Sequence, residues 1–159
     1  MPRKVTKALV RDIPADRLYD DPMVQRLINR VMRDGKKQIA ERLVYNGMQI
    51  AADRLKVENP HDVFDQAMGN IKPHLETRSR RVGGANYQIP FEVKGQRQTH
   101  LTMMWFVAAC RSRKGMSMAN RIALELQDAY NNQGAAVKKR EDTHRMADAN
   151  RAFAHFART

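Results

Sequence analysis

Apolar residues recur at helical spacing along most of this chain, and that spacing is interrupted once, between residues 75 and 93. The segment from Asp21 to Gly35 shows the pattern most clearly. Its apolar residues lie at i, i+3, i+4, i+7 and i+8 and so share one helix face: Val24, Leu27, Ile28, Val31 and Met32. Asp21 can cap this helix, Pro22 suits its first turn, and Gly35 ends it.

Two more helices are predicted before the interruption. The second runs from about Lys36 to Leu55, and its inward side carries apolar or small residues: Ile39, Ala40, Leu43, Gly47, Ile50 and Ala51. The third starts at Asn59-Pro60, a cap followed by a first-turn proline, and ends before Pro73 because the residue before a proline resists helical geometry.

Three helices are predicted after the interruption. The fourth, roughly Thr99 to Lys114, is apolar nearly all round, which is typical of the buried centre of a bundle, so we expect Trp105 and Cys110 in the core. Ser117 caps the fifth. The last runs from about Ala136 towards Phe156 and presents one stripe: Met146, Ala149, Phe153 and Phe156.

The interruption predicts a β-hairpin. The segment reads as two strands around Gly83-Gly84, a pair that tolerates the positive φ of a tight turn, and apolar residues alternate in the second strand: Tyr87, Ile89, Phe91 and Val93. Arg78 and Arg80 share one face of the first strand and Arg81 takes the other, so neither face suits a core, and the tip should project as an arm. Arginine suits phosphate because its planar fork donates two parallel hydrogen bonds. Tyr87 could stack on an unpaired base or, alternatively, pack on the stem.

A length of 159 residues favours a single domain. We therefore expect a mainly α fold, namely a six-helix bundle with one protruding β-hairpin arm between the third and fourth helices. Its predicted parts are an extended basic tail (1–20), helices one to three (21–72), the arm (74–94) and helices four to six (98–156).

The formal net charge of +12 is unevenly distributed. Residues 1–11 carry four basic groups and no acidic one, whereas residues 12–77 carry 10 basic and 11 acidic groups. Residues 78–159 carry 15 basic and 6 acidic groups. Because a solvated surface normally mixes both signs, this excess favours a polyanion as partner, and nucleic acid before a membrane.

Besides the arm, three segments carry candidate RNA-binding side chains. They are the tail (Arg3, Lys4, Lys7, Arg11), the end of the fourth helix (Arg111, Arg113, Lys114) and the last helix (Lys138, Lys139, Arg140, Arg145). Cations at the end of a helix also complement its dipole, which is the structural alternative for the second group. Cations at the start of the last helix oppose the dipole, and a polyanion would offset that cost. Arg145 could instead pair with Glu141, four residues earlier.

Catalysis finds little support. The five histidines are scattered, and Glu141, Asp142 and His144 point in different directions on a helix, so they form no acid–base or metal site. We expect no metal, no cofactor and no small-molecule substrate. The single cysteine indicates a reducing compartment, and the N-terminus lacks the apolar core of a signal peptide, so we expect a soluble, intracellular protein.

The run Arg80-Arg81-Val82-Gly83-Gly84, followed by Tyr87-Gln88-Ile89-Pro90, resembles ribosomal protein seven of the small subunit in its bacterial and organellar form. The closing runs Val137 to Ala147 and Asn150 to His155 resemble the same family's C-terminal signature. Asp34-Gly35-Lys36-Lys37 resembles its first inter-helix turn. The resemblance covers nearly the whole chain.

This resemblance implies a non-enzymatic protein that binds the 3′ major domain of small-subunit ribosomal RNA (rRNA), nucleates assembly of the head and takes part in translation. It implies that the arm lies near the exit-site transfer RNA (tRNA) and the messenger RNA path, with ribosomal proteins nine and eleven as neighbours. It adds Lys36, Lys37, Gly83 and Gly84 to the RNA-binding candidates. The implied location is the small ribosomal subunit of the cytoplasm, with an organellar ribosome as the alternative.

Two other functions are weighed against this one. A DNA-binding module should concentrate base-reading side chains on one recognition helix, whereas this chain spreads its charge over a tail, an arm and helix ends. An RNA-modifying enzyme or nuclease would need converging acid–base or metal-binding residues, which the sequence does not show.

Overall fold

The computed structural model of the chain describes residues 13–157. Within that range six α-helices and one antiparallel hairpin follow the predicted order, and the mainly α fold class is confirmed. The elements are α1 (Pro22–Val31), α2 (Lys37–Leu55), α3 (Pro60–Ile71), β1 (Leu75–Val82), β2 (Ala85–Glu92), α4 (Gly95–Ser112), α5 (Met118–Tyr130), α6 (Gly134–Ala149) and a 3-10 helix (Arg151–Ala157).

The predicted caps begin three of the helices. The side chains of Asp21, Asn59 and Ser117 each accept a hydrogen bond from a backbone N–H in the first turn of α1, α3 and α5. Prolines follow the first two caps, where a missing N–H costs nothing. These helix starts are therefore encoded locally.

Helix α4 lies at the centre of the bundle and contacts α1, α3, α5 and α6. Phe106 is fully buried, and Trp105 and Cys110 are buried as predicted. Burial raises the pKa of the Cys110 thiol, with Glu125 adding to the effect, so the thiol stays protonated and unreactive.

Helices α2 and α5 cross closely because a glycine lies at their contact. A Cβ atom at Gly47 would lie 2.7 Å from Cγ2 of Ile122 and 3.0 Å from the carbonyl oxygen of Ala119. Only a residue without a side chain allows this separation.

The tail was predicted to extend to residue 20, and this boundary is wrong. Asp16 is buried, and its carboxylate accepts hydrogen bonds from three backbone N–H groups between residues 18 and 21 and from the Tyr45 hydroxyl at 3.1 Å. Burial alone would raise the pKa of Asp16, but these hydrogen bonds lower it below its usual value. The turn before α1 is therefore anchored on α2.

Other boundaries and one burial prediction also need correction. Helix α6 ends at Ala149 rather than near Phe156. After Asn150 the backbone changes to i→i−3 bonding, in which the N–H of Phe153 donates to the carbonyl oxygen of Asn150 at 3.0 Å, and the chain continues as a 3-10 helix. Helix α4 begins at Gly95, four residues earlier than predicted. Ile39 was expected on the inward side of α2, yet it is 54% exposed, because the buried face of α2 begins at the next residue.

Within residues 13–157, no helix is both long and apolar enough to cross a lipid bilayer.

Candidate nucleic-acid interface

The tip of the arm is a two-residue turn that stands clear of the helices. Val82 pairs with Ala85, and Gly83 and Gly84 between them have φ values of 57° and 91°. Both glycines are exposed, and a Cβ atom on either would meet no atom within 4 Å. Positive φ at both central residues matches the hairpin turn whose twist suits the flanking strands. The adjacent Arg81 is exposed.

The stem of the arm, by contrast, packs on the C-terminal part of the chain. Ile89 is fully buried, and the ring of Tyr87 lies 5.1 Å from the ring of Phe153 in the 3-10 helix. The hydroxyl of Thr77 approaches the sulfur of Met146 at 3.9 Å. The structure thus places Tyr87 against a ring of the protein, which supports the alternative that it packs on the stem.

A three-residue ion-pair cluster fastens the arm's base, and it occupies one of the predicted RNA-binding arginines. Glu76 is buried and accepts hydrogen bonds from Arg78 and from Arg97, the latter at 2.9 Å. Burial raises the pKa of Glu76, but the two guanidinium groups outweigh it and lower the pKa overall. The Arg78 guanidinium also lies 5.3 Å from the centre of the Phe91 ring. Arg97 was not predicted as part of this cluster.

Three of the four cations of α6 are exposed, and the fourth, Arg140, is held by the protein. Lys138 and Lys139 are exposed. Arg140 is only 19% exposed and donates hydrogen bonds to the backbone oxygen of Asn70 in α3 and, at 3.3 Å, to Oδ1 of Asn132.

Arg145 is 79% exposed and lies 3.6 Å from Asp142, three residues earlier, rather than pairing with Glu141 as the sequence suggested. An exposed pair of this kind contributes little to stability, and it leaves most of the guanidinium accessible.

Arg113, at the end of α4, is neutralised internally. Its guanidinium donates to Glu125 at 2.7 Å and to Asp128 at 2.5 Å. Glu125 is fully buried and also accepts the backbone N–H of Ala136 at 2.9 Å. Burial lowers the pKa of Arg113, but the two carboxylates raise it overall. Its neighbour Lys114 is exposed. Arg113 therefore has a structural role, which it fills through ion pairs rather than through the helix dipole considered in the sequence analysis.

A groove lies between the turn after α1 and the end of α4. Arg111 donates a hydrogen bond at 3.2 Å to the carbonyl oxygen of Arg30. The groove, of about 360 Å³, is bordered by Lys36 and Arg111 and by two cations that the sequence analysis did not select, Arg33 and Arg121. Arg33 and Lys36 flank the Asp34-Gly35 turn, so the sequence could have shown that Arg33 lies near Lys36. Arg121 reaches the groove only through the packing of α5. Lys37, by contrast, lies 3.8 Å from Glu41.

Among the described residues one trio has the composition of a metal site: Asp21, His61 and Asp65, whose ligand atoms lie within 4.8 Å of one another. The two carboxylates face opposite nitrogens of the same ring, Asp21 at Nε2 (3.1 Å) and Asp65 at Nδ1 (3.5 Å). The hydrogen bond between His61 and Asp21 joins α3 to the start of α1, whereas Asp65 lies one turn further along α3 itself.

Residues 2–151 match the sequence profile of the family described as ribosomal protein S7p/S5e. The chain belongs to this family. The small ribosomal subunit protein uS7 of Thermosipho melanesiensis is 51% identical to it over 150 residues, covering 94% of this chain and 96% of that protein. The same-named protein of Thermotoga maritima is 53% identical over 150 residues, with the same coverage. That of Thermotoga neapolitana is 53% identical over 146 residues, covering 92% of this chain and 94% of that protein.

Membership of the S7p/S5e family confirms the resemblance seen in the sequence. The chain is a ribosomal protein, that is, a structural constituent of the translation machinery rather than an enzyme. Its relatives are named as proteins of the small ribosomal subunit, which agrees with the expected location.

The S7p/S5e match also includes the predicted basic tail. Its four candidate residues, Arg3, Lys4, Lys7 and Arg11, lie outside the described residues.

Proposed function

We propose that this chain binds the 3′ major domain of small-subunit rRNA and nucleates assembly of the head of that subunit. In this proposal the arm reaches the subunit interface near the exit-site tRNA and the messenger path, and ribosomal proteins nine and eleven are its neighbours. Family membership supports the coarser part of this statement, a ribosomal protein that partners rRNA. The finer part depends on the distribution of exposed charge.

The observation that carries the proposal is a set of exposed cations without internal counter-charge. Arg81, Lys114, Lys138 and Lys139 are exposed, and none of them forms an ion pair with a carboxylate of residues 13–157. Like charges gathered on a fold oppose its compaction, and a polyanion removes that cost. A phosphate backbone also supplies affinity through the release of its condensed counterions.

The placement of these cations favours an irregular RNA over a DNA duplex. Arg81 is at the tip of the arm, Lys114 follows α4, and Lys138 and Lys139 lie near the start of α6. A reader of duplex DNA places its specific side chains on one helix or strand pair in a groove. Contacts from several separate elements instead fit a folded RNA that presents phosphates in several directions.

The predicted residues divide accordingly. We assign phosphate contacts to the exposed candidates: Lys36, Lys37, Arg80, Arg81, Arg111, Lys114, Lys138, Lys139 and Arg145. We propose that Gly83 and Gly84, whose backbone is exposed, allow the tip of the arm to approach the RNA closely. Arg78 forms an ion pair with Glu76, and Arg113 and Arg140 bond to neighbouring helices, so we assign these three to the fold. The tail residues Arg3, Lys4, Lys7 and Arg11 stay predictions.

Salt dependence tests the proposal. The affinity for a transcript of the 3′ major domain is measured by filter binding between 50 and 200 mM KCl. If the protein makes six to ten phosphate contacts, the rise in salt should lower the affinity by a factor of about 10³–10⁵. A flat response, or equal affinity for duplex DNA of the same length, would reject it.

Paired variants locate the contacts. Replacing Lys138 and Lys139 by alanine should weaken binding and reduce the slope of log K against log salt by about 2. Lys94→Ala is the matched control, because Lys94 is exposed but lies 2.5 Å from Glu92 and is already neutralised. A loss for Lys94→Ala of about half that of the double variant, as expected for one charge against two, would mean that affinity follows total charge alone.

The arm is tested separately. Arg80→Ala combined with Arg81→Ala should weaken RNA or exit-site contacts while the melting temperature stays unchanged, since both side chains are exposed. A large drop in melting temperature would assign these arginines to stability of the fold.

A further inference from the structure

The groove between α1, α2 and α5 has an apolar floor that is open to solvent. Its most exposed member is Ile39, and Met32, Leu43 and Met118 are only partly buried. A large aliphatic side chain gains about 25 cal/mol for each Å² of apolar surface removed from water. The floor is therefore suited to a ligand with an apolar face.

The rim of the groove is positively charged throughout. Arg33, Lys36, Arg111 and Arg121 border it, and no acidic residue contributes to its lining. None of the four forms an ion pair with a carboxylate within the described part of the chain. The ligand should therefore carry negative charge beside its apolar face.

Two of the rim arginines are held in place by the protein. Arg111 donates one N–H to the carbonyl oxygen of Arg30, and Arg121 donates Nε–H to that of Met116 at 2.8 Å. A guanidinium has five N–H donors, so each keeps donors for a ligand. Such anchoring reduces the entropy lost when the ligand binds.

We propose that this groove holds one unstacked base of the bound RNA, with its face on the Ile39 floor and its flanking phosphates on the four rim cations. A cavity of roughly 150 Å³ admits a benzene ring, so a groove of about 360 Å³ has room for a base. A nucleotide combines a flat apolar surface with adjacent anionic groups, which is the combination the groove presents. This assignment rests on the proposed function and names the kind of RNA contact made at this face.

The test compares two exposed aliphatic residues. Ile39→Ser removes the floor, and Leu18→Ser is the control, because Leu18 is 61% exposed and does not line the groove. Ile39→Ser should weaken binding to the 3′ major domain transcript by about fivefold, the effect at the lower end of the range for a base that stacks on an aromatic side chain. The slope of log K against log salt should not change, since no phosphate contact is lost. Arg121→Gln should reduce that slope by about 1.

Chemical probing supplies the second readout. Dimethyl sulfate and kethoxal modify unpaired bases, and one unpaired base protected by the native protein should regain reactivity with Ile39→Ser but not with Leu18→Ser. Unfolding curves of the two variants should coincide with the native one, because both side chains are exposed.

Three results would overturn the base site. They are native affinity for Ile39→Ser, a loss of affinity without any newly reactive base, or an equal loss for Leu18→Ser. If Ile39→Ser binds RNA with native affinity yet fails to join small subunits, the occupant is a protein and the proposed rRNA binding stands. If the native protein itself fails to bind the transcript with salt dependence, the proposed function fails and the base site fails with it.

Discussion

The backbone N–H of His74 donates a hydrogen bond to Nε2 of His144 at 3.0 Å, which joins the residue before β1 to the middle of α6. The two rings lie 6.1 Å apart. Burial lowers the pKa of His144, Arg140 and His74 lower it further, and Asp148 opposes the change. Lys72, Glu141 and Arg145 also face this cleft. The bond requires an unprotonated Nε2, so the arm's attachment depends on the charge of one imidazole.

This bond predicts a pH-dependent stability. The pKa of His144 is lower in the folded protein than in the unfolded chain, so the unfolded chain takes up more protons as the pH falls through the unfolded value of about 6.5. The free energy of unfolding should therefore fall between pH 7.5 and 5.5, and His144→Gln, which keeps an acceptor that does not titrate, should reduce this fall. Urea unfolding across that range measures it. His100→Gln, at an exposed position of α4, should behave like the native protein; an identical pH profile for His144→Gln would contradict the prediction.

Two helical glycines should respond in opposite directions to alanine. Gly47→Ala should lower the free energy of unfolding by about 1–3 kcal/mol, since the new methyl group overlaps Ile122. Gly69→Ala should raise it by up to about 1 kcal/mol, because a Cβ there meets no atom within 4 Å and alanine is the better helix former. Chemical denaturation of both variants measures the two changes in the free energy of unfolding. An increase for Gly47→Ala would show that α2 and α5 can move apart at little cost.

The ion pairs of Arg113 and the exposure of Lys114 predict a separation of stability from RNA binding. Arg113→Ala should lower the free energy of unfolding by about 3 kcal/mol, because it strands the buried Glu125. Lys114→Ala should change stability by no more than about 0.5 kcal/mol yet weaken RNA binding. Thermal unfolding and filter binding below the melting temperature measure the two effects. If folded Arg113→Ala binds RNA more weakly than the native protein, Arg113 contacts the RNA and the prediction is wrong.

Asp16 should be required for the turn before α1. Asp16→Ala leaves three backbone N–H groups and the Tyr45 hydroxyl without their acceptor, and we expect a loss of about 2 kcal/mol in the free energy of unfolding. The neighbouring Arg17→Ala, at an exposed position, should have little effect. Hydrogen exchange of the amides of Leu18 and Tyr19 would report the change locally, and unaltered protection in Asp16→Ala would contradict the prediction.

The sequence predicted what local hydrogen bonding and periodicity determine. The caps Asp21, Asn59 and Ser117 and the turn Gly83-Gly84 were correct, because each is defined by residues adjacent in the chain. The burial of Trp105 and Cys110 followed from a helix that is apolar on all sides.

What the sequence did not predict depends on contacts between distant residues. Arg113 and Glu125 lie twelve residues apart and meet only after α4 and α5 pack, so one member of the predicted basic cluster is neutralised in the fold. Tyr87 and Phe153 meet across the hairpin and the 3-10 helix. Ile39 was misplaced because a stripe of apolar residues does not reveal at which turn of α2 the neighbouring helices begin.

The bonds around Glu125 also constrain how this sequence can change over evolutionary time. Arg113 and the first turn of α6 both depend on that carboxylate, and a Cβ atom at Gly134 would lie 2.9 Å from Cβ of Asp128 and 3.1 Å from Oε1 of Glu125. Replacing Arg113 alone strands the buried carboxylate of Glu125, replacing Glu125 alone removes the acceptor of the Ala136 N–H, and any side chain at Gly134 creates a steric overlap. We therefore expect residues 113, 125, 128 and 134 to be inherited as a set, with viable lineages replacing them together or not at all.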